Sequence, residues 1–184
     1  MIKEEIRKIN KQKRNNLSKN EAYSKSDEIC LVFLESEIYK NSNVIMLYKE
    51  IGNEVSTKAI FDKIIEDKKI AVYPKTVNGK IIPLMVDEKT EFEKGEFSIN
   101  VPKKNKLAEI EKIDAVIVPG IAFDKRGARV GFGKGCYDEF LKKTNALKIG
   151  CCYDFQIEEY IKEDSHDIFM DYLLCEKEII ECKK

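Results

Sequence analysis

The run from Val116 to Leu141 constrains the fold of this chain more than any other. The apolar, β-branched segment Val116, Ile117 and Val118 empties through Pro119 and Gly120 into a polar loop that leads into a helical pattern. Such a run reads as a buried strand, and the Pro-Gly pair ends it. The loop carries four glycines (Gly127, Gly131, Gly133, Gly135) and four cations (Lys125, Arg126, Arg129, Lys134). Glycines that take positive φ turn successive amide N–H groups toward one point, and their missing side chains let an anion come close. The spacing of Tyr137, Phe140 and Leu141 predicts a helix from Cys136 to Thr144, whose unpaired N–H groups and dipole would face the same anion. The prediction is a phosphate site at the carboxyl end of a strand, where ligands of α/β sheets gather.

Two familiar nucleotide loops do not fit. Gly133, Lys134 and Gly135 are followed by Cys136, not by the Lys-Ser/Thr pair of a Walker A loop, and Gly131-x-Gly133-x-Gly135 lacks the last x-x-Gly of the dinucleotide fingerprint. Asp138, three residues beyond Gly135, offers a hard oxygen suited to Mg²⁺.

The rest of the chain alternates between helix and strand. The pattern predicts a long basic helix from Ile2 to Tyr39, broken near Ser18, with Ile2, Ile6 and Ile9 inward. Strand 44–48, helix 57–67, strand 70–73 and strand 80–86 follow, the last two joined by a hairpin at Asn78-Gly79. Beyond a polar stretch (87–112) come strand 115–118, the glycine loop and helix 136–144. Strand 149–153, a short helix near 157–162 and a last strand near 169–175 complete the chain. This alternation predicts an α/β fold over residues 1–184: a single three-layer domain, mostly parallel in its sheet, with helices on both faces.

Lys and Arg number 33, as do Asp and Glu, so no net charge points to a nucleic-acid partner. No apolar run reaches the roughly 18 residues of a membrane span, and the N-terminus lacks the apolar segment of a signal peptide. Six cysteines without CxxC spacing read as reduced thiols. A cytoplasmic protein, a monomer or weak homo-oligomer with no membrane partner, is the expectation.

The glycine loop resembles the 5-formyltetrahydrofolate cyclo-ligase (5,10-methenyltetrahydrofolate synthetase) family. Val118, Pro119, Gly120, Ala122, Phe123 and Asp124 match the first half of the family motif. Gly127, Arg129, Gly131, Gly133, Gly135, Tyr137 and Asp138 match the second, with Cys136 where the family usually has a tyrosine. The resemblance continues at the N-terminus (Lys3, Arg7, Arg14), at Glu54, Val55, Ser56 and Thr57, and at Asp154, Gln156, His166, Asp167 and Asp171. It implies a Rossmann-like fold similar to sugar-phosphate isomerases and CoA-transferases, and an ATP-dependent ligase of folate one-carbon metabolism.

The resemblance also implies roles. Arg129 and Lys134 would act on the phosphates of ATP, with Lys3, Arg7, Gly131, Gly133, Gly135, Cys136 and Tyr137 as further nucleotide contacts. Glu54, Lys49 and Phe132 would bind 5-formyltetrahydrofolate, and Asp138 with Asp167 would hold Mg²⁺. His166, the single histidine, is read as structural or as a modest contact. Two other readings stay open at this point: an isomerase or CoA-transferase relative that needs no ATP, and a binding module whose basic N-terminal helix grips RNA.

Overall fold

The apolar runs become strands β1 (Val44–Met46), β2 (Ile70–Val77), β3 (Lys80–Val86), β4 (Phe92–Lys94), β5 (Asn100–Pro102) and β6 (Ala115–Pro119). They continue as β7 (Ala122–Asp124), β8 (Arg129–Val130), β9 (Leu147–Cys151), β10 (Ile157–Glu158), β11 (Tyr172–Leu174) and β12 (Ile179–Glu181). The helices are α1 (Lys3–Asn15), α2 (Lys19–Leu34), α3 (Glu37–Asn41), α4 (Lys58–Glu66) and α5 (Cys136–Leu141). They are seen in a computed structural model that describes residues 1–96, 99–103 and 105–183.

Seven strands form the central sheet in the order β12-β11-β9-β6-β1-β2-β3. The pairs β2/β1, β1/β6, β6/β9 and β9/β11 are parallel, and the two edges, β3 and β12, are antiparallel. The period-two alternation of strands sorts side chains onto two faces. Ile45, Ala71, Ala115, Ile117 and Ile149 pack with Ile29 and Phe33 of α2 and Ile60 and Ile64 of α4. Met46, Val72, Val116, Val118 and Leu173 pack with Phe140 and Leu141 of α5 on the other. The expected α/β architecture, a mostly parallel sheet with helices on both faces, is the one observed.

Chain order reverses between β1 and β6: from β1 the chain builds outward to β2 and β3, and from β6 it builds the opposite way. That switch point opens a crevice at the carboxyl ends of the two strands. The small sheet β10-β7-β8 lies just beyond β6. α1 docks there through Ile6, which is fully buried against Ala122, Ala128, Val130 and Ile161. Burying that side chain stabilises by about 1.5–3 kcal/mol, and Ile6→Ala would release this contact.

Several boundaries differ from expectation, each for a local reason. The N-terminal helix is three helices; Ser18 caps α2 by accepting from the Glu21 N–H while Glu21 reaches back, a capping box that restarts the helix. Ile2 and Ile9 are exposed, so the inward face of α1 is Ile6, Asn10 and Arg14 instead. Strand β2 runs through Pro74 to Val77, because Pro74 lies opposite Pro83 and the two residues that cannot donate share one rung. Its hairpin turns at Asn78 and Gly79, both at positive φ, as expected. No helix forms at 157–162: Ile157 and Glu158 pair with β7, and Gln156 anchors the start of that stretch by donating to the carbonyls of Gly120 and Ile121. α5 ends at Leu141, not Thr144, and β11 is followed by a further strand, β12. The polar stretch 87–112 contains the β4/β5 hairpin; residues 97, 98 and 104 lie outside the described residues.

Candidate active site

A cavity of about 300 Å³ occupies the crevice at the switch point. Tyr48 and Lys49 enter it from beyond β1, Pro119 from the end of β6, and Lys3 and Arg7 from α1. The glycine loop from Gly131 to Gly135 forms one wall, and Cys136, Tyr137 and Asp138 of α5 continue it. Glu54, Phe132, Asp164, His166 and Asp167 complete the polar lining, while Pro74, Ile81 and Val101 give an apolar side. Every residue assigned a role on the resemblance, from Lys3 to Asp167, therefore borders this one cavity.

Within the loop the glycines divide the work. Gly133 and Gly135 have positive φ (86° and 67°) and are exposed, so their backbone is open to a ligand. Gly131 does not take positive φ; a Cβ there would meet the Arg129 guanidinium at 2.9 Å, so this glycine makes room for Arg129. Gly127 faces away, its position filled by the Met170 carbonyl. The cations divide as well. Arg126 pairs with Asp124 and Glu163 outside the cavity lining, and Lys125 is exposed elsewhere, so neither adds charge at the expected point. Arg7 donates from Nε to the Gly131 carbonyl at 2.9 Å, which ties α1 to the loop.

The sequence pattern of the 5-formyltetrahydrofolate cyclo-ligase family matches residues 1–176. The chain belongs to that family. A 5-formyltetrahydrofolate cyclo-ligase of Mycoplasma genitalium is 31% identical over 180 residues, covering 94% of this chain and 97% of the relative. The solved structure of Aquifex aeolicus 5,10-methenyltetrahydrofolate synthetase superposes with a TM-score of 0.90 at 34% identity, covering 100% of this chain and 94% of that one. A 5,10-methenyltetrahydrofolate synthetase from Mycoplasma pneumoniae superposes with a TM-score of 0.77 at 29% identity, covering 96% and 100%. Membership places the chain among ligases of folate chemistry, ahead of the isomerase and RNA-binding readings.

The cyclo-ligase cavity has a cationic and an acidic side, and they interlock. Arg129 is largely buried and donates to Asp138 Oδ2 at 3.0 Å and to the Pro119 carbonyl at 3.3 Å. Asp138 Oδ1 accepts the Ile168 N–H at 3.2 Å, which fastens α5 to the segment bearing Asp167. Lys3 Nζ bridges Asp164 at 2.6 Å and Asp167 at 2.5 Å. Burial alone would lower the Lys3 pKa, but its bonds to the two carboxylates reverse this and raise it. Asp164, His166 and Asp167 bring one ligand atom each within 4.8 Å of one another. His166 itself is mostly exposed, 3.8 Å from Asp167.

Glu54 also lines the cavity and is only 5% exposed. It accepts the Ile51 N–H at 2.9 Å and pairs with Arg14 at 3.4 Å. Burial raises its pKa, and the Arg14 charge works against that rise. Phe132 is 43% exposed at the cavity edge, with Lys11 and Arg14 over its ring at 5.2 and 5.9 Å. The Tyr137 hydroxyl is buried without a hydrogen-bond partner among the described residues, and burial drives its pKa well up. Burial also raises the Cys136 thiol pKa, which keeps it protonated and unfit as a nucleophile.

Two residues that matter to the site carried no role in the sequence reading. Asp124 is fully buried and accepts the N–H groups of Arg126, Ala128 and Ile161, which fixes the β7–β8 hairpin carrying Arg129. An acid closing the apolar run Ile121, Ala122 and Phe123, three residues before Gly127, is the available signal. Arg14 matched the family's N-terminal pattern, but its contact with Glu54 joins residues forty apart and leaves no local pattern.

Proposed function

We propose that this cyclo-ligase converts 5-formyltetrahydrofolate and ATP to 5,10-methenyltetrahydrofolate, ADP and phosphate, by phosphorylation of the formyl oxygen. The observation that carries the reading is one cavity lined both by the glycine loop with its cations and by a buried carboxylate, Glu54. A formamide oxygen is a poor leaving group. It attacks the γ-phosphorus of ATP, and the bond to ADP breaks. The N10 nitrogen of the folate then attacks the formyl carbon, the carbon–oxygen bond breaks with release of phosphate, and N10 loses its proton. Such a sequence needs positioning and charge neutralisation more than a proton relay.

The residues divide accordingly. Lys134 and the Gly133–Gly135 backbone bind the phosphates from the exposed side of the loop, with Arg7 and Lys3 closing from α1. Arg129 lies beneath the loop and holds Asp138 in place while its charge faces the transferring group. Glu54 accepts from the coplanar N–H donors of the pterin ring, and Phe132 and Lys49 flank the same substrate. The Tyr137 hydroxyl, short of a partner, is available to a bound ligand.

Asp138 and Asp167 supply oxygen donors only, and among the described residues each Asp138 oxygen accepts a single protein hydrogen bond, so lone pairs remain. That donor set fits Mg²⁺. When bound, the ion would neutralise phosphate charge during transfer. Lys3 provides positive charge to Asp167 in the same place.

The mechanism is tested with substrate whose formyl oxygen carries a heavy isotope. Phosphorylation of that oxygen predicts the label in the released phosphate. Label found only in water would refute it.

A further inference from the structure

Arg14 does not line the cavity, yet it is one of the few charged side chains buried in this protein, 5% exposed. Burying a guanidinium without compensation is expensive. Its partner is Glu54, 3.4 Å from Nη1, and its Nε has no hydrogen-bond partner among the described residues. Contact with Glu54 is secured by its neighbour. Asn53, the residue before Glu54, donates from its side chain to the carbonyls of Arg14 and Leu17 at 3.2 and 2.7 Å. The loop bearing Glu54 is thus pinned to the end of α1. The guanidinium also lies against the Phe132 ring.

We propose that Arg14 is a positioning residue for folate recognition: it orients Glu54 and keeps it ionised where it borders the cavity. This rests on the functional reading above. A carboxylate accepts from two donors through its two oxygens, whereas a carboxylic acid turns one oxygen into a donor and opposes them. Burial presses Glu54 toward the neutral acid, and Glu50 on the same loop presses the same way. Tyr48, Tyr137 and Cys151 also face it, and burial raises the pKa of each, so none supplies charge at neutral pH. Arg14 is the cation that opposes these influences.

The test measures KM for 5-formyltetrahydrofolate and for ATP across neutral to alkaline pH in wild type, Arg14→Met, Arg14→Lys, Glu54→Gln and the double variant Arg14→Met with Glu54→Gln. Thermal unfolding of each checks the fold. Arg14→Met should raise the folate KM about tenfold or more at neutral pH, leave the ATP KM within about twofold, and recover as rising pH ionises Glu54. Arg14→Lys should restore a pH-independent KM, and it answers the question even if Arg14→Met does not fold. In the Glu54→Gln background, loss of Arg14 should add little. A folate KM unaffected by Arg14→Met, a rise that no pH relieves, or equal effects with and without Glu54 would overturn the inference while wild-type activity stands. Wild type that forms no methenyl product would overturn both it and the functional reading.

Discussion

Replacing Asp124 by asparagine tests whether the scaffold beneath the site is held by one carboxylate. Asp124 Oδ1 accepts the backbone N–H groups of Arg126 and Ala128, each at 3.0 Å, and Oδ2 accepts Ile161 N–H at 3.0 Å. All its neighbours are donors, so asparagine must point its NH₂ at one set of them. In the less damaging orientation the Ile161 N–H loses its acceptor, costing about 1–3 kcal/mol, and the two remaining bonds lose their charge, costing about 1 kcal/mol each. The bonds from the partly exposed Arg126 side chain to Oδ2 are left out of this figure. The total is about 3–5 kcal/mol. At about 2–4 °C per kcal/mol for a chain of this size, the midpoint of thermal unfolding should fall by about 6–20 °C. Calorimetry at fixed pH measures it. A midpoint within about 2 °C of wild type would refute the idea that this carboxylate latches the hairpin.

Further outcomes follow from the same geometry. Lys134→Ala should lower kcat/KM by about a hundredfold or more, the effect of removing one preorganised charge-stabilising group, and leave the unfolding midpoint within about 2 °C. Gly127→Ala places a Cβ 2.3 Å from the Met170 carbonyl at φ 94° and should cost more than about 2 kcal/mol in a denaturant titration. Gly135→Ala meets open space at φ 67° and should cost only about 1–2 kcal/mol while impairing activity. Of the six cysteines, a thiol reagent should reach only Cys136 and Cys182 in the native protein, since the other four are buried and burial holds Cys30 up to about 12 and Cys175 up to about 11; rapid modification of more than two would contradict the fold. Because the pKa of Glu54 is raised in the folded protein, the unfolded chain binds fewer protons as pH climbs above the ordinary value of 4.5. The stability of Glu54→Gln relative to wild type should therefore improve as pH rises through that window, and a change in the opposite direction would refute the burial argument.

Legibility from sequence tracked the range of the interaction. The strand at Val116–Val118 and the hairpin at Asn78-Gly79 are set by neighbours in the chain and formed as read, whereas the loop that follows the strand also holds the paired strands β7 and β8, and α5 is shorter. The stretch from Ile157 to Lys162 was misread because its conformation is decided by Asp124 and by pairing with β7, not by its own pattern. The inward face of α1 was misread for a related reason. Apolar spacing favoured Ile2 and Ile9, but the helix docks beside a polar cavity, where Lys3, Arg7 and Arg14 have partners and the isoleucines do not. Positive φ is expected at all four loop glycines and is taken by Gly127, Gly133 and Gly135, but not by Gly131, which makes room for Arg129. The pairs Arg129–Asp138 and Lys3–Asp167 were also hidden, because sequence suggested a ligand for each residue without showing that the residues hold one another.

The central claim is tested most directly by following the near-ultraviolet absorbance of the methenyl product with 5-formyltetrahydrofolate, ATP and Mg²⁺ together and with each left out in turn. Absorbance that grows only when all three are present is the predicted result. A folded protein that produces no such band with the complete mixture, or produces it without ATP, would contradict the account.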